Sequence, residues 1–250
     1  MPRPDAAERL KASAPKQGPS KALIAALIAT VLVIAGVAAF LVTRSGGTEN
    51  AAVPTGGIAG GKGVVAFPDA TLQPGAKTVD VYEDFQCPFC KQLEAHNGQQ
   101  LQSMAADGKV KLVLHVKTFL DDSHPGGNSL RAANAAFCAA DAGRFPQFHS
   151  TVFANQPATE GEGYTDDQLK SFGKDAGISG SAYDTFVKCV DDEKYKDYAE
   201  ATETQSGKDG VTSTPTLVID GKEVDQNGAD YAALMTQDNS FDSVVTSFKG

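Results

Sequence analysis

Alternating apolar and polar positions predict two strands early in the body of the chain. They cover Thr78–Phe85 and Val110–Phe119, where every second residue is mostly apolar. Between them, apolar residues recur at helical spacing over Pro88–Ala106, and Asp107-Gly108 ends that helix. A strand, a helix and a strand within about 40 residues form a βαβ unit, which predicts parallel strands joined by a right-handed crossover.

The next hundred residues have mainly helical patterns. An Ala-rich helix is predicted over Asn128–Ala142, and a longer amphipathic helix over Ser181–Glu203. Between them, Thr165 lies three residues before Gln168, and this spacing is typical of a capping box at the start of a short helix.

The strand pattern returns near the C-terminus. Thr216–Ile219 is a strand, Asp220-Gly221 is a turn of the hairpin type, and Glu223-Val224 begins the return strand. Helices over Asp230–Met235 and Phe241–Phe248 close the chain. The sequence therefore predicts an α/β fold with a β-α-β half, a β-β-α half and helices inserted between the two.

The longest apolar run lies near the N-terminus. Residues 22–42 are 21 residues without a charge, which is enough for a helix to cross the roughly 30 Å hydrocarbon core of a bilayer. A cleaved signal peptide is the alternative, because Val37-Ala38-Ala39 offers small residues to a peptidase, but signal cores usually run only about 7–15 residues. We therefore predict that residues 22–42 are an uncleaved transmembrane signal anchor. The excess of basic residues in 1–21 predicts that this segment lies in the cytoplasm and the catalytic domain outside it.

The segment after this run has a different composition. Residues 43–63 are rich in glycine and have no hydrophobic periodicity, as is typical of a flexible linker. The folded domain is predicted over 64–250.

Charge is distributed unevenly along the chain. Residues 1–44 contain six of the 22 basic and two of the 31 acidic residues, so 16 basic and 29 acidic residues remain in 45–250, a net charge of −13. Such an acidic domain repels phosphate backbones, which argues against a nucleic-acid partner. A basic or neutral unfolded polypeptide is compatible with this charge.

Two of the four cysteines form the motif Cys87-Pro88-Phe89-Cys90 between a predicted strand and a predicted helix. At the helix N-terminus, unpaired backbone N–H groups and the helix dipole stabilise a Cys87 thiolate. A lower thiol pKa makes Cys87 both a ready nucleophile and a good leaving group. Pro88 suits the first helical turn, and Cys90, one turn later, can close a disulfide with Cys87.

The CxxC motif is also compatible with two structural roles. The pair could be a structural disulfide, or half of a zinc site completed by Cys138 and Cys189, although these two lie far apart in sequence. Haem attachment is excluded because Lys91 stands where that motif requires histidine. The four histidines show no metal-ligand spacing, so neither a metal nor a soluble cofactor is expected.

Cys138 and Cys189 lie on separate predicted helices, and neither has a CxxC partner of its own. Beyond a membrane span the compartment is oxidising, so we predict a structural disulfide between them.

These motifs together carry a resemblance to a known family. The segment Tyr82–Lys91 resembles the active-site segment of DsbA-like thiol–disulfide oxidoreductases, and Thr212–Gly221 resembles their cis-proline loop and hairpin. Leu130–Phe145 and Phe148–Phe153 are similar to the family's helical insertion. The resemblance covers roughly residues 64–250. It implies a thioredoxin fold with a helical subdomain inserted at about 122–205.

The resemblance also implies roles for particular residues. Thr214 and Pro215 would form a cis peptide beside the cysteines, where the backbone pairs with an extended substrate. Thioredoxin-type proteins often bury an acid six residues before the first cysteine, where this chain has Val81, so Glu83 and Asp84 are the candidate proton acceptors. Phe89 replaces the histidine of the strongest oxidants, which predicts moderate oxidising power.

The predicted function is donation of the Cys87–Cys90 disulfide to reduced, newly exported proteins. The resemblance implies a quinone-linked membrane oxidase that reoxidises the pair. A disulfide isomerase, a reductase, and a binding or chaperone module with a structural CxxC remain the alternatives.

Overall fold

A five-stranded sheet forms the centre of the computed structural model, which describes residues 51–249. Its strands are β1 (Val64–Val65), β2 (Lys77–Glu83), β3 (Val110–Val116), β4 (Thr216–Ile219) and β5 (Lys222–Glu223). Their order in the sheet is β1-β3-β2-β4-β5. β2 and β3 are parallel, whereas the other neighbouring pairs are antiparallel.

The predicted βαβ unit is confirmed. β2 is followed by α1 (Pro88–Leu93), a π-helical turn (Glu94–Gly98), α2 (Gln99–Ala106) and then β3. Val79 pairs with Leu112 and Val81 with Leu114, and all four side chains are buried. This apolar register fixes the end of β2 at the start of α1, where Cys87 lies.

The predicted C-terminal half is also confirmed. β4 pairs with the other edge of β2, with Val81 opposite Leu217. Asp220 and Gly221 both have positive φ, 50° and 79°, as a two-residue hairpin between twisted strands requires. The return strand begins at residue 222, one residue earlier than predicted, and the last helices are α9 (Ala229–Thr236) and α10 (Phe241–Ser247).

Helices fill the interval between β3 and β4. They are α3 (Leu120–Ser123), α4 (Asn128–Asp141), α5 (Phe145–Ala154), α6 (Asp166–Asp175), α7 (Gly180–Asp191) and α8 (Lys196–Lys208). The helical insertion predicted at about 122–205 is therefore present, with slightly wider limits. The capping box is present as well: the Gln168 N–H donates to Thr165 Oγ1 at 3.2 Å, and the Gln168 side chain accepts from the Thr165 N–H.

The single helix predicted over Ser181–Glu203 is wrong. The chain breaks between α7 and α8, where Glu193 takes a positive φ of 48°. The break turns the chain so that the Tyr195 N–H donates to Asn134 Oδ1 of α4 at 2.8 Å, and Tyr198 of α8 is fully buried. The amphipathic pattern continues on both sides of this bend, so periodicity alone could not locate it.

The linker boundary predicted at residue 63 is also wrong. The Tyr198 hydroxyl donates to the Gly63 carbonyl (2.7 Å) and accepts from the Ile58 N–H (3.1 Å). A Cβ on Gly61 would lie 2.3 Å from the Ala201 carbonyl carbon. Here glycine allows the backbone to approach α8 closely, a role that composition does not distinguish from flexibility.

Among residues 51–249, no helix is both long enough and apolar enough to cross a membrane. The predicted cytoplasmic segment 1–21, the predicted anchor 22–42 and the first part of the predicted linker lie outside the described residues.

Candidate active site

Cys87 lies where the chain leaves the sheet and enters α1. Its backbone is extended (φ −74°, ψ 119°), and Pro88 follows as the first helical residue. The Cys87 N–H donates to the Asp84 carbonyl at 2.9 Å, which closes the turn after β2. Cys90 lies one turn into the helix and is fully buried, whereas Pro88 and Phe89 are exposed. The two cysteines therefore occupy the strand–helix junction that their spacing predicts.

The two thiols, both unbonded here, have opposite pKa shifts. A hydrogen bond from the Cys90 thiol has the largest influence on the Cys87 pKa, burial opposes it, and the backbone N–H groups of Cys90 and Phe89 assist. Together they lower the Cys87 pKa to about 6. Burial, followed by Cys87 itself and the charge of Glu83, raises the Cys90 pKa well above its ordinary value. At neutral pH Cys87 is therefore a thiolate and Cys90 a thiol.

The predicted cis peptide Thr214–Pro215 is present and lies against the cysteine pair. The Cys87 thiol group is 3.5 Å from the Thr214 carbonyl oxygen. The Thr214 hydroxyl is buried and has no hydrogen-bond partner among residues 51–249. On the other side, the Tyr231 hydroxyl donates to the Pro215 carbonyl at 3.2 Å. Residues 127 positions apart in sequence thus meet at one site, as the resemblance implied.

Side chains of the insertion hold the active-site turn in place. The Gln156 amide donates to the carbonyls of Phe85 (2.8 Å) and Cys87 (3.0 Å). The Tyr164 hydroxyl donates to the same Phe85 carbonyl at 3.1 Å. Sequence reasoning missed Gln156 and Tyr164, because neither belongs to a recognisable motif and both reach the turn only through the tertiary fold.

Asp84, one of the two candidate proton acceptors, is engaged in structural hydrogen bonds. Its carboxylate accepts from the Ser129 hydroxyl (2.6 Å) and from the N–H groups of Gln86 (2.9 Å) and Leu120 (3.3 Å). Burial raises its pKa to about 7, although these hydrogen bonds oppose the shift. The contacts tie the end of β2 to the insertion, so Asp84 is placed to hold the site together.

Glu83, the other candidate, belongs to a buried cluster that sequence reasoning missed. Its carboxylate is hydrogen-bonded to Nε2 of His149, and Nδ1 of that ring lies 3.7 Å from Glu94 Oε2. Glu83 and His149 are almost fully buried. The sequence indicates no role for His149 at the site, because no spacing signal links a residue of α5 to the end of β2.

The same cluster is where metal binding has to be considered. Within residues 51–249, the metal-ligand-type atoms that lie within 4.8 Å of one another belong to Glu83, Glu94 and His149. The two carboxylates face opposite nitrogens of the imidazole ring, and the Glu83 contact is a direct hydrogen bond. The raised pKa of His149, about 9, keeps both ring nitrogens protonated at neutral pH, and a doubly protonated imidazole has no lone pair left for an ion. The arrangement therefore favours a cluster of charged side chains over a metal centre.

The other two cysteines form the predicted disulfide. Cys138 of α4 and Cys189 of α7 are bonded, with their Cα atoms 5.8 Å apart. Both sulfurs lie within the insertion and take no part in the arrangement around Cys87.

Known proteins share this architecture. Residues 73–236 match the family model described as thioredoxin. The chain is 28% identical over 156 residues to disulfide bond formation protein D of Bacillus subtilis, a match that covers 62% of this chain and 67% of that protein. It resembles MdbA, a thiol-disulfide oxidoreductase from Corynebacterium diphtheriae (26% identity, TM-score 0.58, 74% of this chain and 92% of that one). It also resembles oxidised DsbA of Mycobacterium tuberculosis (26% identity, TM-score 0.54, 71% and 94%).

The match to the family model spans the CxxC motif, the inserted helices and the cis-proline of this chain. The chain belongs to the thioredoxin family and is, within it, a DsbA-like thiol–disulfide oxidoreductase.

Proposed function

We propose that the protein acts outside the cytoplasm as an oxidase, which donates the Cys87–Cys90 disulfide to reduced, newly exported proteins. The observation that carries this proposal is the low pKa of Cys87, about 6, beside a partner whose pKa is raised. A stabilised thiolate lowers the free energy of the reduced form, so the disulfide is readily given up.

The thiol asymmetry also sets the order of steps. A substrate thiolate attacks Cys87 Sγ, the Cys87–Cys90 bond breaks, and its electron pair leaves on Cys90 Sγ, which takes up a proton. The second substrate thiolate then attacks the substrate sulfur of the mixed disulfide, and Cys87 leaves as a thiolate. The substrate dithiol is oxidised to a disulfide, the enzyme is reduced, and one net proton passes to the solvent.

The surface beside Cys87 suits an extended, unfolded substrate. Phe89 exposes 62% of its surface and offers an apolar contact next to the attacked sulfur. The Thr214 carbonyl oxygen lies 3.5 Å from Cys87 Sγ. The backbone just before Pro215 could therefore pair with an extended substrate strand whose thiol attacks Cys87. The acidic body of the chain adds a general attraction for basic polypeptides.

Two features support an extracytoplasmic location. Residues 22–42 are long and apolar enough for an anchor, with basic residues before them. The Cys138–Cys189 disulfide is of a kind that persists in oxidising compartments. In this proposal a quinone-linked oxidase in the same membrane restores the Cys87–Cys90 disulfide after each cycle. Cell fractionation with N-terminal sequencing tests the anchor, and a mature N-terminus near Phe40 would indicate a cleaved signal.

The decisive measurement is the reduction potential of Cys87–Cys90 in glutathione buffers, together with oxidation of a reduced, unfolded model protein. An oxidase should have a potential clearly above the roughly −270 mV of thioredoxin and should form disulfides in stoichiometric amounts. A potential near that of thioredoxin would favour the reductase alternative. Faster rearrangement of scrambled substrate than oxidation of reduced substrate would favour an isomerase.

Substrate identity can be obtained by trapping. In a Cys90→Ala variant the mixed disulfide on Cys87 cannot be resolved, so bound substrates should be recovered covalently from the membrane fraction. The double variant Cys87→Ala/Cys90→Ala is the matched control and should trap nothing.

A further inference from the structure

A series of buried ionisable side chains lies near Cys90. Glu83 lies at the end of β2, close enough for its charge to raise the pKa of the Cys90 thiol. Glu83 is hydrogen-bonded to Nε2 of His149, and Nδ1 of His149 faces Glu94 at 3.7 Å. The side chains of His149 and Glu83 expose 1% and 0% of their surface. Glu83, His149 and Glu94 therefore form a series of ionisable groups that leads away from Cys90.

Apolar aromatic side chains surround this series of ionisable groups. The rings of Phe85, Phe145 and Phe153 lie with their centroids 5.6, 6.3 and 5.0 Å from that of His149. Within the described residues, Glu83 Oε2 and His149 Nδ1 are buried without a hydrogen bond. Leaving such atoms unpaired destabilises the folded state, and core packing alone gives no reason to retain them.

The outermost of these ionisable side chains reaches a surface groove. Glu94, whose side chain exposes 8% of its surface, lines a groove of about 530 Å³ together with Gln102 and Ser150. Lys91 also lines this groove, but its ammonium group donates to the Gln156 carbonyl at 3.0 Å. Glu94 is therefore the carboxylate that connects the buried histidine to the solvent side.

We propose that Glu83, His149 and Glu94 form a proton relay between Cys90 and this groove. The inference rests on the proposed oxidase function and specifies how its buried thiol is served. When substrate attacks Cys87, the leaving Cys90 thiolate takes a proton that passes from His149 through Glu83, and His149 is reprotonated through Glu94. During reoxidation the same proton returns to the groove, so the relay is unchanged over a full cycle.

The ionisation of these groups suits such a role. Burial lowers the pKa of His149, but the carboxylates of Glu83 and Glu94 outweigh it and raise that pKa to about 9. Burial raises the pKa of Glu94 to about 7, with His149 opposing. Glu94 can therefore exchange protons with the solvent near neutral pH, and His149 carries a proton in the same range.

Other titratable groups near the cysteines have different partners or positions. Asp84 is held by Ser129, and Tyr231, whose pKa burial raises to about 12, donates to the Pro215 carbonyl. Neither contacts His149 among the interactions of the described residues.

The test uses the oxidised protein and a dithiol peptide in a single turnover, quenched with acid between pH 5.5 and 8.5. We expect Glu94→Gln and His149→Gln to slow oxidation about tenfold or more and to change its pH profile, because a titrating group is lost. Glu94→Asp should recover part of the rate. His96→Gln is the matched control: His96 lies 2.6 Å from Asp238 in an exposed His–carboxylate pair, and its loss should leave rate and profile unchanged.

Circular dichroism and thermal unfolding check that each variant is folded. If His149→Gln does not fold, Glu94→Gln decides alone, since Glu94 lies at the groove. In the wild type, oxidation should be slower in D₂O after correction for thiol ionisation.

Wild-type rates and profiles in both variants would overturn the relay, as would slow variants with an unaltered pH profile, which indicate a structural role. A wild-type protein that oxidises no dithiol at all would instead refute the oxidase function on which the relay rests.

Discussion

The two cysteine pairs of this protein differ in nearly every respect that controls sulfur chemistry. Cys87 and Cys90 are three residues apart at a strand–helix junction, and one of them lies against the Thr214 carbonyl. Cys138 and Cys189 are 51 positions apart, on two helices of the insertion, and join those helices. The first pair lies where β2 is followed by α1, and the second lies within the helical insertion.

The difference shows that the environment, rather than the presence of a disulfide, decides reactivity. The Cys87 thiolate is stabilised by hydrogen bonds and its partner thiol is desolvated, so Cys87 is suited to act as the leaving group when a mixed disulfide is broken. Bonding Cys138 to Cys189 restricts the unfolded chain, so that disulfide favours the folded state.

Replacing the attacked sulfur should have the largest effect. Cys87→Ser should lower the oxidation of a reduced model protein by about a thousandfold or more, because a serine hydroxyl cannot form the mixed disulfide. The double variant Cys138→Ala/Cys189→Ala, assayed while folded, should retain most of this activity. Equal losses in both proteins would contradict the separation of the two pairs.

Removing the second disulfide should instead lower stability. The chain-entropy model assigns a loop of this size roughly 4 kcal/mol, and measured losses are typically about 2–4 kcal/mol. Urea unfolding of Cys138→Ala/Cys189→Ala against wild type, both with Cys87–Cys90 reduced, measures the difference. A change below about 0.5 kcal/mol would show that this disulfide is not a structural constraint.

Alkylation should separate the two thiols of the reduced active site. Because the Cys87 pKa is lowered to about 6, its labelling rate should rise with pH through that value and level off above it. Cys90, with its pKa raised, should react about tenfold or more slowly near neutral pH, even though a thiolate of low pKa is intrinsically less nucleophilic. Peptide mass spectrometry after timed iodoacetamide pulses reads both rates, and equal rates with a midpoint near pH 8.5 would refute the assignment.

The exposed Phe89 should affect substrate binding and little else. Phe89→Ala removes an apolar contact, so the KM for an unfolded protein substrate should rise about fivefold, or about 1 kcal/mol. Stability should change by less than about 0.5 kcal/mol because the side chain is largely exposed. The exchange rate with a small thiol provides the control and should stay near wild type; a parallel loss there would mean that Phe89 acts on the cysteines themselves.

The local features of this protein can be predicted from short stretches of its sequence. The period of Thr78–Phe85 gave a strand, the position of Pro88 gave a helix start, and Asp220-Gly221 gave a hairpin, because each depends on neighbours a few residues away. The CxxC motif and Thr214-Pro215 indicated thiol–disulfide chemistry, because each belongs to a short, contiguous motif through which the family resemblance can be seen.

Contacts between distant segments could not be predicted in this way, because they depend on the tertiary fold. His149 meets Glu83 across 66 positions, and Gln156 reaches the Cys87 carbonyl across 69; no periodicity records such pairs. The break before Tyr195 and the packing of Gly61 against α8 likewise depend on a surface formed elsewhere in the chain. Local patterns fix which elements form, whereas the burial of a charge or a backbone group is set by what the fold brings beside it.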